Sequence, residues 1–231
     1  MGLYRLIETR VRDARDYARL DPVKSRLVTV LSAGAARCPA GRWLDIGAGS
    51  GIHREIFAGR AESYVALDPR PRGPGVVPGT GEALPFRDAA FDTAVLAEVL
   101  EHVPAVEPVL AEARRVLRPG GGLLVTAPFV FYEHEAPHDY RRFSRRGLEV
   151  ALEAAGFDVL DTGKVCGPVA VLGLFKSLAF LATVGRIPGM WEPALAMNDW
   201  CARVCVLPLD GVVDRAGRWA QGHWAVARKR D

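Results

Sequence analysis

Trp43-Leu44-Asp45-Ile46-Gly47-Ala48-Gly49-Ser50-Gly51 reads as a strand that ends in an acid and runs into a glycine-rich turn opening a helix. Glycine has no Cβ, so the backbone of such a turn can close on a ligand, and the first N–H groups of the following helix lie open there. A ligand is therefore expected at the C-terminal edge of a sheet. The spacing narrows its chemistry. A dinucleotide turn runs GxGxxG and faces a pyrophosphate, whereas here the third glycine comes one residue early and Ile52 stands where that pattern has Gly or Ala. Asp45 points the same way, because a carboxylate beside this turn repels a pyrophosphate and receives an ammonium. The pattern favours a nucleoside carrying an amino acid.

Working outward, short apolar runs alternate with helical patterns. Strands are predicted near 42–46, 63–67, 75–77, 92–96 and 122–126, then at 157–163 and 223–229. Helices are predicted at about 51–59, 105–117 and 145–155, the last with Ser144 as cap and Gly156 as stop. Such alternation implies an α/β fold, a parallel sheet covered on both faces. Ahead of it, residues 1–40 read as a helical arm, with Leu3, Leu6 and Ile7 and then Val23, Leu27, Val30 and Leu31 at helical spacing and Asp21-Pro22 as a helix start. The organisation expected is an arm (1–40), a ligand-binding core (41–163), an apolar insertion (164–220) and a last core strand with its tail (221–231).

Composition bounds the partners. Of 231 residues, 30 are basic and 27 acidic, a net charge of +3 that lacks the dense basic stripe nucleic-acid binders carry. With 49% hydrophobic residues the chain lies far from the disordered class. Its four cysteines form no CxxC pair, so neither zinc nor a disulfide framework is expected, and the charged start MGLYRLIETR is no signal peptide. These readings point to a cytoplasmic protein.

A second acid, Asp68, ends the strand of Ala66-Leu67-Asp68-Pro69, 23 residues after Asp45, where an α/β fold returns to its next strand and a carboxylate can accept two ribose hydroxyls. Together WLDIGAGSG, the acid of ALDPR, the stretch GEALPFRDAAFDTAVLAEVLEHVP (81–104) and RRVLRPGGGLLVTAP (114–128) resemble, in order and spacing, the class I S-adenosylmethionine-dependent methyltransferases, in the branch that includes ubiquinone and menaquinone biosynthesis enzymes. The resemblance implies a Rossmann-like sheet, S-adenosylmethionine as cofactor with S-adenosylhomocysteine as its product, and a small-molecule acceptor. It also implies roles. Gly47, Ala48 and Gly49 hold the methionine end, Asp45 stands near its amino group, Asp68 binds the ribose and Pro69 flanks the adenine. Ala97 and Glu98 close over the sulfonium side, with His102 just beyond. Related enzymes usually place an acid two residues before the Glu of the LPF stretch. Thr80 stands there in this chain, so Thr80 and Glu82 share the adenine contact, with Gly81 between them, or backbone supplies it.

The loop Phe129–Ser144 falls where this fold commonly builds its acceptor site, and its PHDYRRFS run resembles a segment of methyltransferases linked to sugar, lipid-linked and secondary-metabolite acceptors. Phe129, Tyr132, His134, Asp139 and Tyr140 are acceptor-site candidates. His138 is the candidate general base, oriented by Asp139 or Tyr140; the competing reading is that this run only pegs the loop to the sheet. A metal held by His134 and His138 is not expected, because Pro137 disfavours the helical conformation that an i, i+4 pair needs.

Val165–Val184 carries one charge in twenty residues, interrupted by Pro168 and Gly173 with Lys176 inside it. Residues 165–209 are open to three readings: a cap or homodimer face, a membrane-surface patch that takes a greasy acceptor, or a transmembrane helix. Two rivals to the enzyme reading stand at this point, a catalytically silent cofactor-binding adaptor acting through the insertion and an NAD-dependent oxidoreductase.

Overall fold

The computed structural model describes residues 13–214 and 219–230. The expected helix around Leu3, Leu6 and Ile7 lies outside the described residues. The chain divides into two compact units, Met1–Val30 with Lys164–Gln221 and Leu31–Gly163 with Gly222–Asp231.

The second of these holds seven strands, β1 (Gly41–Ile46), β2 (Ala61–Asp68), β3 (Val76–Pro78), β4 (Phe91–Ala97), β5 (Leu117–Pro128), β6 (Phe157–Lys164) and β7 (Gly222–Lys229), in the order β3-β2-β1-β4-β5-β7-β6. β1 pairs in parallel with β2 and β4, and β4 with β5. β7 runs antiparallel to β5, from Gly122 opposite Arg228 to Pro128 opposite Gly222. The sheet is therefore mixed, where the alternation predicted a parallel one. The parallel pairings run among β1 to β5, and the departure is confined to β7, which enters between β5 and β6 after the long helical insertion.

The central strands are buried along nearly their whole length, as strands covered on both faces must be. Leu44, Ile46, Leu96, Leu123 and Val125 form the core with Phe91 and Phe157. Trp43 is fully buried beside Phe57, ring centroids 5.2 Å apart, and its indole N–H donates to the Pro39 carbonyl at 3.1 Å. Helix Val106–Val116 buries Val106, Val109, Leu110, Ala113 and Val116, spaced three and four apart on one face. Helix Arg145–Ala154 starts on Ser144, whose hydroxyl accepts the Gly147 N–H at 3.1 Å, and ends before Gly156 at φ +85°. The helix expected over 51–59 shrinks to Arg54–Phe57, because Gly51 takes φ +73° and keeps the preceding residues in turns.

The other unit is helical. Pro22–Ala35, shared between the two units, begins on Asp21, whose carboxylate accepts the Lys24 N–H at 2.9 Å. The insertion supplies helices Pro168–Thr183, Trp191–Cys201 and Leu207–Val213. Leu20 packs with Leu181, Ala182, Ala194 and Leu195, and the Asn198 amide donates to the Arg19 and Leu20 carbonyls at 3.0 and 2.8 Å. Asp210 caps Pro168–Thr183 from a distant part of the chain, its carboxylate accepting the Gly167 and Ala170 N–H groups at 2.7 and 3.0 Å. Pro168–Arg186 is long and apolar enough to cross a membrane by length and composition, with 39% of its most apolar window buried and Leu172 and Phe175 exposed.

Candidate functional site

Two acids stand at the C-terminal ends of adjacent strands. Asp45, one residue before the end of β1, pairs with Ala66 of β2, while Asp68 closes β2. The turn after β1 folds back over β2, the Gly47 and Ala48 N–H groups both donating to the Leu67 carbonyl at 2.8 and 3.0 Å. Gly47 and Gly49 take φ +75° and +58°. A Cβ on Gly47 would come within 2.6 Å of Val99, so position 47 admits no side chain.

Asp45 is 1% exposed. One of its oxygens accepts the Tyr64 hydroxyl and lies 3.7 Å from His53 Nδ1, and the other, Oδ1, has no hydrogen-bond partner. Burial, and then the charge of Asp45, push the Tyr64 hydroxyl far above its ordinary range, so it remains a donor. The Asp68 carboxylate accepts the Gly49 N–H at 2.8 Å and the Arg70 N–H at 2.7 Å, which ties the turn to the end of β2. An ionised carboxylate offers about four lone-pair sites, so acceptor capacity is left over.

The remaining sequence candidates spread along the same edge. Pro69, Thr80 and Glu82 are exposed, and Thr80 bridges to Ala83. A Cβ on Gly81 would meet Ile46 and Val109, each at 3.2 Å. The 84–88 stretch is pinned by Arg115, which sequence reasoning missed. Its guanidinium reaches the Leu84 and Phe86 carbonyls at 3.0 and 2.8 Å, Asp88 at 2.7 Å and Glu112 at 2.6 Å. Glu112 in turn accepts the Leu84 N–H at 2.7 Å. Ala97 ends β4 buried, and Glu98 follows at φ +56°, its N–H shared between the Thr126 carbonyl and hydroxyl, both at 3.1 Å. A non-glycine residue in that region marks a backbone held by its surroundings.

His102 lies in the 3-10 turn Leu100–His102 and places its ring Nδ1 2.6 Å from the His138 carbonyl. Its neighbour Glu101 is fully buried, and neither carboxylate oxygen has a hydrogen-bond partner. Burial first, and the nearby charge of Glu98 second, push the Glu101 carboxyl well above its ordinary range. The loop after β5 brings His134 against this pair, its ring T-shaped to that of His102 at 4.6 Å.

Of the two partners considered for His138, the structure supplies Tyr140, whose hydroxyl lies 3.3 Å from His138 Nδ1. Asp139 is engaged elsewhere. It accepts the His134 N–H at 2.9 Å and both ends of the Arg142 guanidinium, one at 2.8 Å, and Arg142 goes on to the Tyr132 carbonyl at 3.0 Å. The hydrogen bond from Arg142 holds the Asp139 carboxyl far below the usual carboxylate range. Phe129 stands 41% exposed beside His223, ring centroids 5.5 Å apart, while Tyr132 stacks on Phe131. His223, on β7, was not a sequence candidate. It is buried, with Nδ1 3.0 Å from the Phe143 carbonyl, and burial pulls its pKa down.

The donor set fits an aminoacyl nucleoside. Asp45 Oδ1 is a buried acceptor in need of a cationic donor, Gly47 has no room for a side chain, and Asp68 keeps lone pairs for hydroxyls.

Comparison with known proteins agrees with this geometry. Residues 44–125 match the methyltransferase domain family. An uncharacterized methyltransferase of Mycobacterium sp. (strain JLS) is 36% identical over 120 residues, 47% of this chain and 48% of the relative. One from Mycobacterium leprae (strain TN) is 40% identical over 96 residues, 36% of each. The chain thus spans about half the length of the first of these relatives, or less. Among solved structures, the cyclase SpnF superposes with a TM-score of 0.61 at 22% identity, over 90% of this chain and 82% of its own. The 1,6-didemethyltoxoflavin-N1-methyltransferase of Burkholderia thailandensis, solved with S-adenosylhomocysteine, gives 0.58 at 22% identity, over 94% and 80%. At such identity these two speak for the fold, which is the Rossmann-like class I methyltransferase fold, and within it residues 44–125, the core from β1 to β5, are similar to the methyltransferase domain family.

Proposed function

We propose that this chain methylates an O, N or C nucleophile of a small-molecule acceptor. The observation that carries the reading is the buried, unpartnered Asp45 Oδ1 beside a glycine turn that Asp68 fastens to β2. S-adenosylmethionine, when bound, supplies a methyl group made electrophilic by its sulfonium. The chain's own part is positioning, which can account for several kcal/mol of a barrier of this kind. Asp45 receives the ammonium, the Gly47–Gly49 backbone admits the methionine end, and Asp68 holds the ribose. Pro69, Thr80, Gly81 and Glu82 border the adenine, and Ala97, Glu98 and His102 border the sulfonium. On the acceptor side, Phe129, Tyr132, His134 and Tyr140 offer aromatic and polar contacts, and His138, exposed with Tyr140 at its Nδ1, takes the acceptor's proton.

The test is titration calorimetry with S-adenosylhomocysteine, using NAD as the comparison ligand. Asp68→Ala removes acceptors for two hydroxyls and is expected to weaken binding about 30- to 150-fold, on the order of 2–3 kcal/mol. Unchanged affinity in a folded Asp68→Ala protein removes the ribose assignment, and binding of NAD alone overturns the cofactor reading.

A further inference from the structure

We propose that Glu101, His102 and His134 form a binding site for one divalent metal ion of the zinc class. Their ligand atoms all lie within 4.8 Å of one another. Two atoms bound to one ion at about 2.1 Å sit roughly 3 to 4.2 Å apart, and His102 Nε2 and Glu101 Oε1 are 3.7 Å apart. Small side-chain rotations close the rest of the triangle.

The independent observation is Glu101 itself. It is fully buried, and among the described residues neither of its oxygens accepts a hydrogen bond. The nearby cation acts on it through charge alone and gives it no hydrogen bond. Arg142 directs its hydrogen bonds to Asp139 and to the Tyr132 and Arg141 carbonyls. A buried carboxylate with no donor is strongly disfavoured, and the charge of a second carboxylate close by, that of Glu98, adds to the penalty. A dication removes both penalties at once.

The imidazoles are prepared for the same role. His102 Nδ1 lies 2.6 Å from a carbonyl oxygen, so Nδ1 carries the hydrogen and Nε2, facing Glu101, keeps its lone pair. Asp139 Oδ2 lies 3.3 Å from His134 Nδ1, the carboxylate–histidine contact that fixes ring orientation around metals. Two imidazoles with one carboxylate suit zinc, with manganese as the harder alternative, and disfavour magnesium, which demands oxygen ligands. Such a three-ligand set leaves a coordination position open, as catalytic zinc sites do. The ion in question uses His134 with Glu101 and His102, a different set from the His134–His138 pair weighed from sequence. The site stands independently of methyl transfer, since metal binding is read without turnover.

The experiment strips the full-length protein with a chelator and titrates it with Zn2+, Mn2+ and Mg2+ separately, by calorimetry and by equilibrium dialysis with elemental analysis. One equivalent of Zn2+ or Mn2+ is expected, bound well ahead of Mg2+. Glu101→Gln, which preserves shape, and His134→Ala are each expected to weaken it at least about tenfold while circular dichroism stays unchanged. Absence of stoichiometric binding by the wild type overturns the proposal. So does full binding by Glu101→Gln, or loss of binding in His138→Ala with retention in His134→Ala.

Discussion

Asp139→Asn is the perturbation that best tests whether the 129–143 loop is held in place by its own hydrogen bonds. The Asp139 side chain is 2% exposed and holds three donors, the His134 N–H and the two ends of the Arg142 guanidinium. Asparagine keeps one acceptor oxygen, so the substitution loses the charge and about one guanidinium contact. A hydrogen bond to a charged group contributes about 1.5–3 kcal/mol. Arg142 is 23% exposed and recovers some hydration when released, which favours the lower half of that range, about 2 kcal/mol. The loss is local, so amide exchange at His134 is expected to quicken on the order of 30-fold, with slower exchange left intact in β4 and β5.

The pH dependence has a definite sign. The folded-state carboxyl of Asp139 titrates far below its unfolded value, so its contribution is complete above about pH 4 and is lost as pH falls further. The wild-type and Asp139→Asn proteins should therefore differ at pH 7 and converge on acidification. Exchange followed by mass spectrometry on the 129–143 segment reads both effects. A change of less than about threefold at His134, or a wild-type-to-variant gap that widens toward low pH, would refute the reasoning.

Three other outcomes follow from single contacts. Asp210→Ala leaves the first N–H groups of helix Pro168–Thr183 without their carboxylate and should cost about 1–3 kcal/mol, seen as a lower urea midpoint with unchanged slope. Arg115→Lys keeps the charge but loses the fork that reaches Leu84, Phe86, Asp88 and Glu112, so protease cleavage within 81–88 should quicken and Tm fall by a few degrees, roughly 2–4 °C per kcal/mol lost. His223 is buried with its pKa pulled down, so it adds stability that is full above about pH 6.5 and lost as pH drops below it. His223→Gln should flatten the fall in denaturation midpoint between pH 7.5 and 5.5.

The sheet was legible because its signals are local. Leu44 to Gly49 announces both a strand and a turn, and the apolar runs at 92–96 and 122–126 are buried on both faces as continuous hydrophobic strands should be. The helix after the turn was overread because Ile52, Ile56 and Phe57 have helical spacing while the positive φ of Gly51 delays the first turn. The direction of β7 was not legible. HWAVARK has the same apolar texture whichever way it runs, and its antiparallel place beside β5 follows from connectivity. The places of Asp45 and Asp68 at the ends of neighbouring strands could be read because each follows a short apolar run beside a turn. Tyr64, the partner of Asp45, could not, because a tyrosine inside a strand looks like ordinary packing until its hydroxyl is seen to meet a carboxylate.

The EH pair at 101–102 shows where reading by sequence gives out, and why. Consecutive residues of a 3-10 turn point about 120° apart, so nothing in the spacing says that Glu101 and His102 converge on a residue 32 positions later. What makes them converge is the backbone. Tyr140 N–H donates to the Glu101 carbonyl at 2.8 Å, the His102 ring to the His138 carbonyl at 2.6 Å, and Arg141 to the Pro104 carbonyl at 2.6 Å. The turn after β4 and the loop after β5 are thereby one hydrogen-bonded piece, so residues 100–104 and the 129–143 loop cannot shift independently. An exchange of the 129–143 loop for that of a relative would strand the carbonyls of Glu101 and Pro104 unless residues 100–104 were exchanged with it. On the proposed function, acceptor choice would then rest on two segments, 100–104 and 129–143, that only the fold brings together.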